Sequence, residues 1–167
     1  AITLKRFCYQ LIENHDDFDN TVLLGLQPRG TVLLDMIVSL LEEISGVKVP
    51  SGYLDSTFHR DDFRRRDFPL KANETKIDFL VEGKKVILID DVLYKGRSVR
   101  AAMDAMLAFG RPAKVELLVL VDRRYSRQLP IEPDYIGIKV DAISSQKVVV
   151  SWQEADQNDK VILVSEN

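Results

Sequence analysis

Two adjacent carboxylates, Asp90 and Asp91, follow directly on the apolar run Val86-Ile87-Leu88-Ile89. After them comes a short loop with Tyr94, Lys95 and Gly96, and then Arg97 and Ser98 open a helical pattern. Neighbouring carboxylates can accept hydrogen bonds from sugar hydroxyls or orient the water around a Mg²⁺ ion. The amides of a Gly-containing turn, backed by the positive end of a helix dipole, suit an anion such as phosphate. Together these groups fit a phosphorylated sugar. The competing reading is structural, because Asp and Gly at strand-to-helix turns also cap helices and relieve backbone strain.

A second loop of the same kind lies upstream, where Gln27-Pro28-Arg29-Gly30 follows the apolar run Thr21 to Leu26. Gly25 and Gly30 have the glycine spacing of a P-loop, but Thr31 stands where its lysine would be, so a nucleoside-triphosphatase reading fails. What is left is an arginine among free amides, suited to a second phosphate or to pyrophosphate. Otherwise Pro28 shapes the turn and Arg29 is solvated. Residues 58–77 are charged and irregular, with Arg64, Arg65 and Arg66 set among Phe58, Phe63 and Phe68. A stretch of this length is either a lid over an anionic substrate or a solvated charged face. His15 and His59 lack zinc-site spacing. His15 is expected in a solvated turn, and His59 in a structural or solvated role. No Gly-x-Ser-x-Gly elbow occurs, which argues against a serine hydrolase.

Helices and strands must hold these loops in place. Ile2 to Asn14 reads as an amphipathic helix. Leu33, Met36, Ile37, Leu40, Leu41 and Ile44 mark the apolar face of another, closed by Gly46. Val99, Ala102, Met103, Met106 and Leu107 repeat in a third, ended by Gly110. Strands are expected at 21–26, within 49–57, at 86–89 and from Val115 through Val121 to an end at Asp122-Arg123, with a basic loop from Arg124 to Arg127 after the last. Shorter strands at 135–140, 147–152 and 160–164 are expected to form a hairpin or partial hood. Continuous apolar strands alternating with helices predict an α/β fold: a mainly parallel central sheet flanked by helices, with ligands at the carboxyl ends of the strands. The 167 residues suffice for one domain, 1–167. A net charge of −3 excludes a globally basic nucleic-acid binder and leaves room for a local patch. The single cysteine, Cys8, lies among apolar positions and reads as a small buried hydrophobe. No apolar stretch is long enough to span a bilayer and no signal-peptide pattern opens the chain, so a cytoplasmic setting is expected.

The string from Val86 to Ser98 resembles the phosphoribosyl-pyrophosphate (PRPP) fingerprint of type I phosphoribosyltransferases. With the other blocks laid out in order, nearly the whole chain resembles the PyrR family of pyrimidine-operon attenuation regulators and uracil phosphoribosyltransferases. Gly25 to Gly30 matches the pyrophosphate loop, with Pro28 where threonine is usual, and Arg60-Asp61-Asp62 matches the flexible-loop motif. Asp90 to Arg97 matches the PRPP loop, and Ala101 to Pro112 continues the agreement. Val121-Asp122-Arg123, Leu129-Pro130-Ile131, Asp134 to Gly137 and Asp156 to Asp159 complete it.

The resemblance implies a Mg²⁺-dependent transfer from PRPP to uracil, giving UMP and pyrophosphate, with the ion carried by substrate and no dedicated protein ligand. Asp90 and Asp91 would hold the ribose hydroxyls. The stretch Tyr94, Lys95, Gly96, Arg97 and Ser98 would receive the 5′-phosphate. Gln27, Pro28, Arg29 and Gly30 would form the pyrophosphate loop, and Arg60 would help close a flexible lid. Val121, Asp122, Ile138, Lys139 and Val140 would lie near the base, and Arg123, Arg124 and Arg127 would be candidates for leader-RNA contact. A homo-oligomer is also implied. Three positions depart from the family. Lys95 replaces a threonine, 137–142 reads Gly-Ile-Lys-Val-Asp-Ala in place of the usual Gly-Lys-Asn-apolar-Pro-Thr run, and the loop from Asp122 to Arg127 carries an extra residue. The alternatives are an attenuation regulator with weak or lost enzyme activity and a phosphoribosyltransferase for a purine base. Purine enzymes usually carry an acidic residue where Tyr94 stands.

Overall fold

The computed structural model describes residues 2–61, 74–142, 146–152 and 160–165. Helix α1 spans Ile2–His15, α2 spans Gly30–Ser45 and α3 spans Arg97–Met106. Strands β1 (Thr21–Leu26), β2 (Ser51–Leu54), β3 (Lys85–Leu93), β4 (Lys114–Arg124) and β5 (Tyr135–Asp141) form one sheet in the order β2-β1-β3-β4-β5. Every pairing in that sheet is parallel. β6 (Gln146–Ser151) and β7 (Lys160–Ser165) make a separate antiparallel pair.

The apolar runs explain the layering. All of β1 is buried, as are Val86 to Ile89 of β3, which requires cover on both faces. On one face Phe7 and Leu11 of α1 and Leu33, Ile37 and Leu41 of α2 pack with Leu23 and Ile87. On the other, Val99, Ala102 and Met106 of α3 pack with Leu88 and Val119. Each such side chain contributes about 1.5–3 kcal/mol on burial, so the centre of the sheet is the most strongly held part of the fold. Helix α2 closes at Gly46, whose N–H reaches the Glu42 carbonyl at 2.9 Å. Cys8 is fully buried, and burial pushes its thiol up to about 11, as suits an inert packing residue.

Five local expectations are corrected. β3 does not stop at Ile89. Asp90 and Val92 stay in ladder register with Val119 and Val121, so the acidic pair sits within the strand, near its carboxyl end. β4 likewise runs past Asp122-Arg123 to Arg124, because β5 offers Asp141 opposite it. Opposite charges facing across strands favour this extension. β5 is therefore a parallel edge strand of the main sheet, and only β6 and β7 form the hairpin pair. α3 gives way at Met106 to a 3₁₀ turn over Leu107–Phe109 before Gly110.

His15, finally, is not in a solvated turn. It ends α1 and is buried, with Nε2 at 2.8 Å from Glu116 Oε2 and 3.3 Å from the Tyr135 hydroxyl. The Tyr135 hydroxyl donates to the same Glu116 oxygen at 2.8 Å and accepts from Asn14 at 3.2 Å. Of the charged stretch, Phe63, Arg64, Arg65, Arg66 and Phe68 lie outside the described residues, as does 153–159 of the expected hood. No helix among the described residues is long and apolar enough to cross a membrane.

Candidate active site

A parallel sheet delivers all its strand carboxyl ends to one side, and both acidic and glycine loops emerge there. A cleft of about 610 Å³ opens at the end of β3, lined by Asp90, Tyr94, Lys95, Gly96, Arg97, Ser98 and Arg60 among others. The loop after β3 turns at Gly96 (φ 90°), which begins α3 as its N-cap with no side-chain cap. The first amides of α3 are thus left facing the cleft side of the turn without a capping side chain, the arrangement that favours an anion. Lys95 is exposed, its Nζ 5.2 Å from the centre of the Tyr94 ring.

The carboxylates are structured by their own backbone. The Asp91 N–H donates to Asp90 Oδ1 at 2.9 Å, and the Val92 N–H to Asp91 Oδ1 at 2.8 Å. Asp91 is 6% exposed, and its Oδ2 is buried and accepts no hydrogen bond among the described residues. Arg29 Nε lies 3.7 Å from that oxygen. Burial, then the charge of Asp91, drives Asp90 well above the usual carboxylate range. Burial also raises Asp91, against the pull of Arg29. Two crowded carboxylates with an orphaned oxygen are what a cation or a pair of sugar hydroxyls would relieve. Among the described residues no cluster of three or more His, Cys, Asp or Glu could hold a metal unaided.

The loop Gln27 to Gly30 meets this centre edgewise. A Cβ on Gly30 would come 2.3 Å from the Ile89 carbonyl oxygen, so only glycine lets the α2 start lie against β3. Gln27 Nε2 donates to the Glu74 carbonyl at 3.0 Å, the Gln27–Pro28 peptide bond is cis, and Arg29 donates to the Val150 carbonyl at 3.2 Å. α2 also begins without a side-chain cap.

The remaining candidates divide. Val121 is core, packed with Val140. Asp122 and Lys139 line a second hollow together with Arg124 and Arg127, while Ile138 is exposed on the edge strand. The three arginines do not form one surface. Arg123 is 6% exposed, lies 3.9 Å over the Tyr94 ring and donates to the Gln146 carbonyl at 2.7 Å. Arg127 donates to the Tyr94 carbonyl at 2.6 Å and pairs with Asp122. These two arginines buttress the loop after β3. Arg124 is exposed and pairs with Asp141. Sequence reading missed this supporting role, and the signal for it was the density of polar residues from Asp122 to Gln128 just after the apolar run Leu117 to Val121.

The phosphoribosyl transferase domain model matches residues 1–157. Over 162 residues the chain is 46% identical to the bifunctional protein PyrR of Microcystis aeruginosa, covering 97% of this chain and 90% of that protein. This chain belongs to the PyrR family of phosphoribosyltransferases. The pyrimidine operon regulatory protein of Lactococcus lactis subsp. lactis is 39% identical over 170 residues, with 99% and 95% covered. Among solved structures, the hypoxanthine phosphoribosyltransferase of Trypanosoma cruzi superposes with a TM-score of 0.71 at 14% identity, covering 99% of this chain and 91% of that one. At that identity the likeness establishes the fold, which is the type I phosphoribosyltransferase fold expected from the PRPP-like string.

Proposed function

We propose that this chain transfers the phosphoribosyl group of PRPP to uracil, releasing pyrophosphate and forming UMP, and that it regulates a pyrimidine operon through leader RNA. The observation that carries the enzymatic reading is the cleft itself: an uncapped helix start at Gly96 beside Asp90, at the end of one buried strand. The amides of Arg97 and Ser98 and the Ser98 hydroxyl take the 5′-phosphate. Asp90 and Asp91 accept hydrogen bonds from the ribose hydroxyls and so fix the ring. Arg29 and Arg60 face the pyrophosphate end. As the bond from C1 to the pyrophosphate oxygen breaks, positive charge grows on the ribose and negative charge on the leaving group. In this reading the acidic pair answers the first charge and the arginines the second, so catalysis is positioning and electrostatics without a covalent nucleophile. Asp90 and Asp91 would orient water around a substrate-borne Mg²⁺, and that ion would supply charge neutralisation at the pyrophosphate end. Incubation with PRPP, Mg²⁺ and a panel of bases tests the reading. UMP should form from uracil, and turnover of purines without uracil would overturn the assignment.

The regulatory half rests on family membership and on the exposed Arg124. With Arg123 and Arg127 engaged inside the protein, RNA contact falls to Arg124 and its surroundings. The bound chain is a cytoplasmic homo-oligomer in this reading.

A further inference from the structure

Arg60 is bracketed by two sets of contacts. Upstream, Asp55 Oδ1 accepts from the Thr57 N–H at 3.1 Å and from the Thr57 hydroxyl at 2.6 Å. The turn over Thr57–His59 then closes on the Arg60 N–H, 3.5 Å from the Thr57 carbonyl. Downstream, Asp61 pairs with Arg97 and lies 3.8 Å from Arg100 Nη1, both in the first turn of α3. Those two arginines are themselves held, Arg97 by Gln128 at 2.9 Å and Arg100 by Asp104 at 3.5 Å. Between these anchors Arg60 lines the cleft with Asp90, and its charge opposes the upward push on that carboxylate.

We propose that Asp61 is a positioning residue, whose ion pairs with Arg97 and Arg100 set the Arg60 guanidinium toward the pyrophosphate end of the cleft. The inference rests on the phosphoribosyl-transfer reading above. The side chains of Asp61 and Arg97 are 38% and 34% exposed, so the pair is partly screened and contributes little to global stability. Its effect is directional. An arginine whose neighbours on both sides are tethered loses less freedom when it engages a leaving phosphate. The opposite role is also testable: Asp61 would occupy a cation that the 5′-phosphate needs, and its removal would then tighten phosphate binding at α3.

Calorimetric titration with PRPP, with pyrophosphate and with ribose 5-phosphate, each with Mg²⁺, separates these cases in the wild type, Asp61→Asn and Asp61→Glu. Asp61→Asn should lose about tenfold in affinity for PRPP and for pyrophosphate, comparable to losing one charge-assisted hydrogen bond. Ribose 5-phosphate, which has no pyrophosphate, should bind unchanged, and Asp61→Glu should recover part of the loss. In turnover, kcat should fall as well as KM rise, because Arg60 acts on charge that grows as the bond breaks. Tighter ribose 5-phosphate binding, an equal loss for all three ligands, or no change at all would overturn the proposal. A wild type that binds none of the three would overturn the phosphoribosyl-transfer reading, and the inference with it.

Discussion

Asp90 holds its proton more tightly in the folded protein than in the unfolded chain, because burial and Asp91 disfavour its charge. The folded state therefore binds more protons above the usual carboxylate range, and stability falls as pH rises from there through the folded value. Asp90→Asn should raise the melting temperature of the ligand-free protein at neutral pH, with the gain shrinking toward acid pH. The same substitution removes the acceptor proposed for a ribose hydroxyl and should weaken PRPP binding by about 1.5–3 kcal/mol. A thermal melt across pH, paired with a PRPP titration, checks both halves. A variant that is stabilised yet turns over normally would reject the ribose role, and one that fails to fold would favour a structural one. Glu116 has the opposite sign. Burial pushes it up, but hydrogen bonds from Lys114, Tyr135 and His15 outweigh that and bring it below its usual range. Its contribution is present above the unfolded value and is lost as pH falls through the folded one.

At the scale of elements, His15, Glu116, Tyr135 and Asn14 tie the end of α1 to the beginnings of β4 and β5, at the end of the strands away from the cleft. His15→Ala leaves a buried carboxylate short of a partner and should cost on the order of 1–3 kcal/mol by urea denaturation. KM for PRPP should be unaffected, since the cluster touches no cleft residue. A large rise in KM would mean that α1 also shapes the site. This cluster marks a limit of sequence reading. His15 stands in a run of polar residues and looks solvated, while its partner Glu116 is 101 positions away. The strands β1, β3 and β4 were legible where their residues were continuously apolar, because only a fully covered strand tolerates such a run. Their polar ends were not. Arg124 looks like a loop residue until Asp141 is seen opposite it in the ladder. Both strand-to-helix loops were legible, since glycine, arginine and paired acids at strand ends signal such turns locally. Arg123 and Arg127 were misgrouped with Arg124 because charge in sequence does not reveal which way a side chain is turned.

For the molecule as a whole, a net charge of −3 means that RNA binding must be local and salt-sensitive. Gel-shift titration of structured leader RNA at two salt concentrations, with and without UMP, should give a complex that weakens as salt rises. Arg124→Glu should weaken it further while leaving uracil turnover intact. RNA with exposed bases should compete better than plain duplex, because loops offer base edges to read. Absence of a leader-selective complex at low salt with UMP would remove the regulatory half of the function and leave the enzymatic half standing.

The approach of Gly30 to the Ile89 carbonyl has one more consequence. It turns two separate loops into the jaws of a calliper, hinged on the rigid backbone of neighbouring strands and set to one opening. Under the phosphoribosyl-transfer proposal, such a gauge would measure a donor by the span between its two phosphate ends and would reject one that is a phosphate too short. Ribose 1,5-bisphosphate should bind the wild type far more weakly than PRPP does. Gly30→Ala forces a methyl against backbone that cannot swing aside and should shift the opening at a cost of about 1–3 kcal/mol in stability. The preference for PRPP over the shorter donor should then narrow, and an undiminished preference would mean that length is judged elsewhere in the molecule.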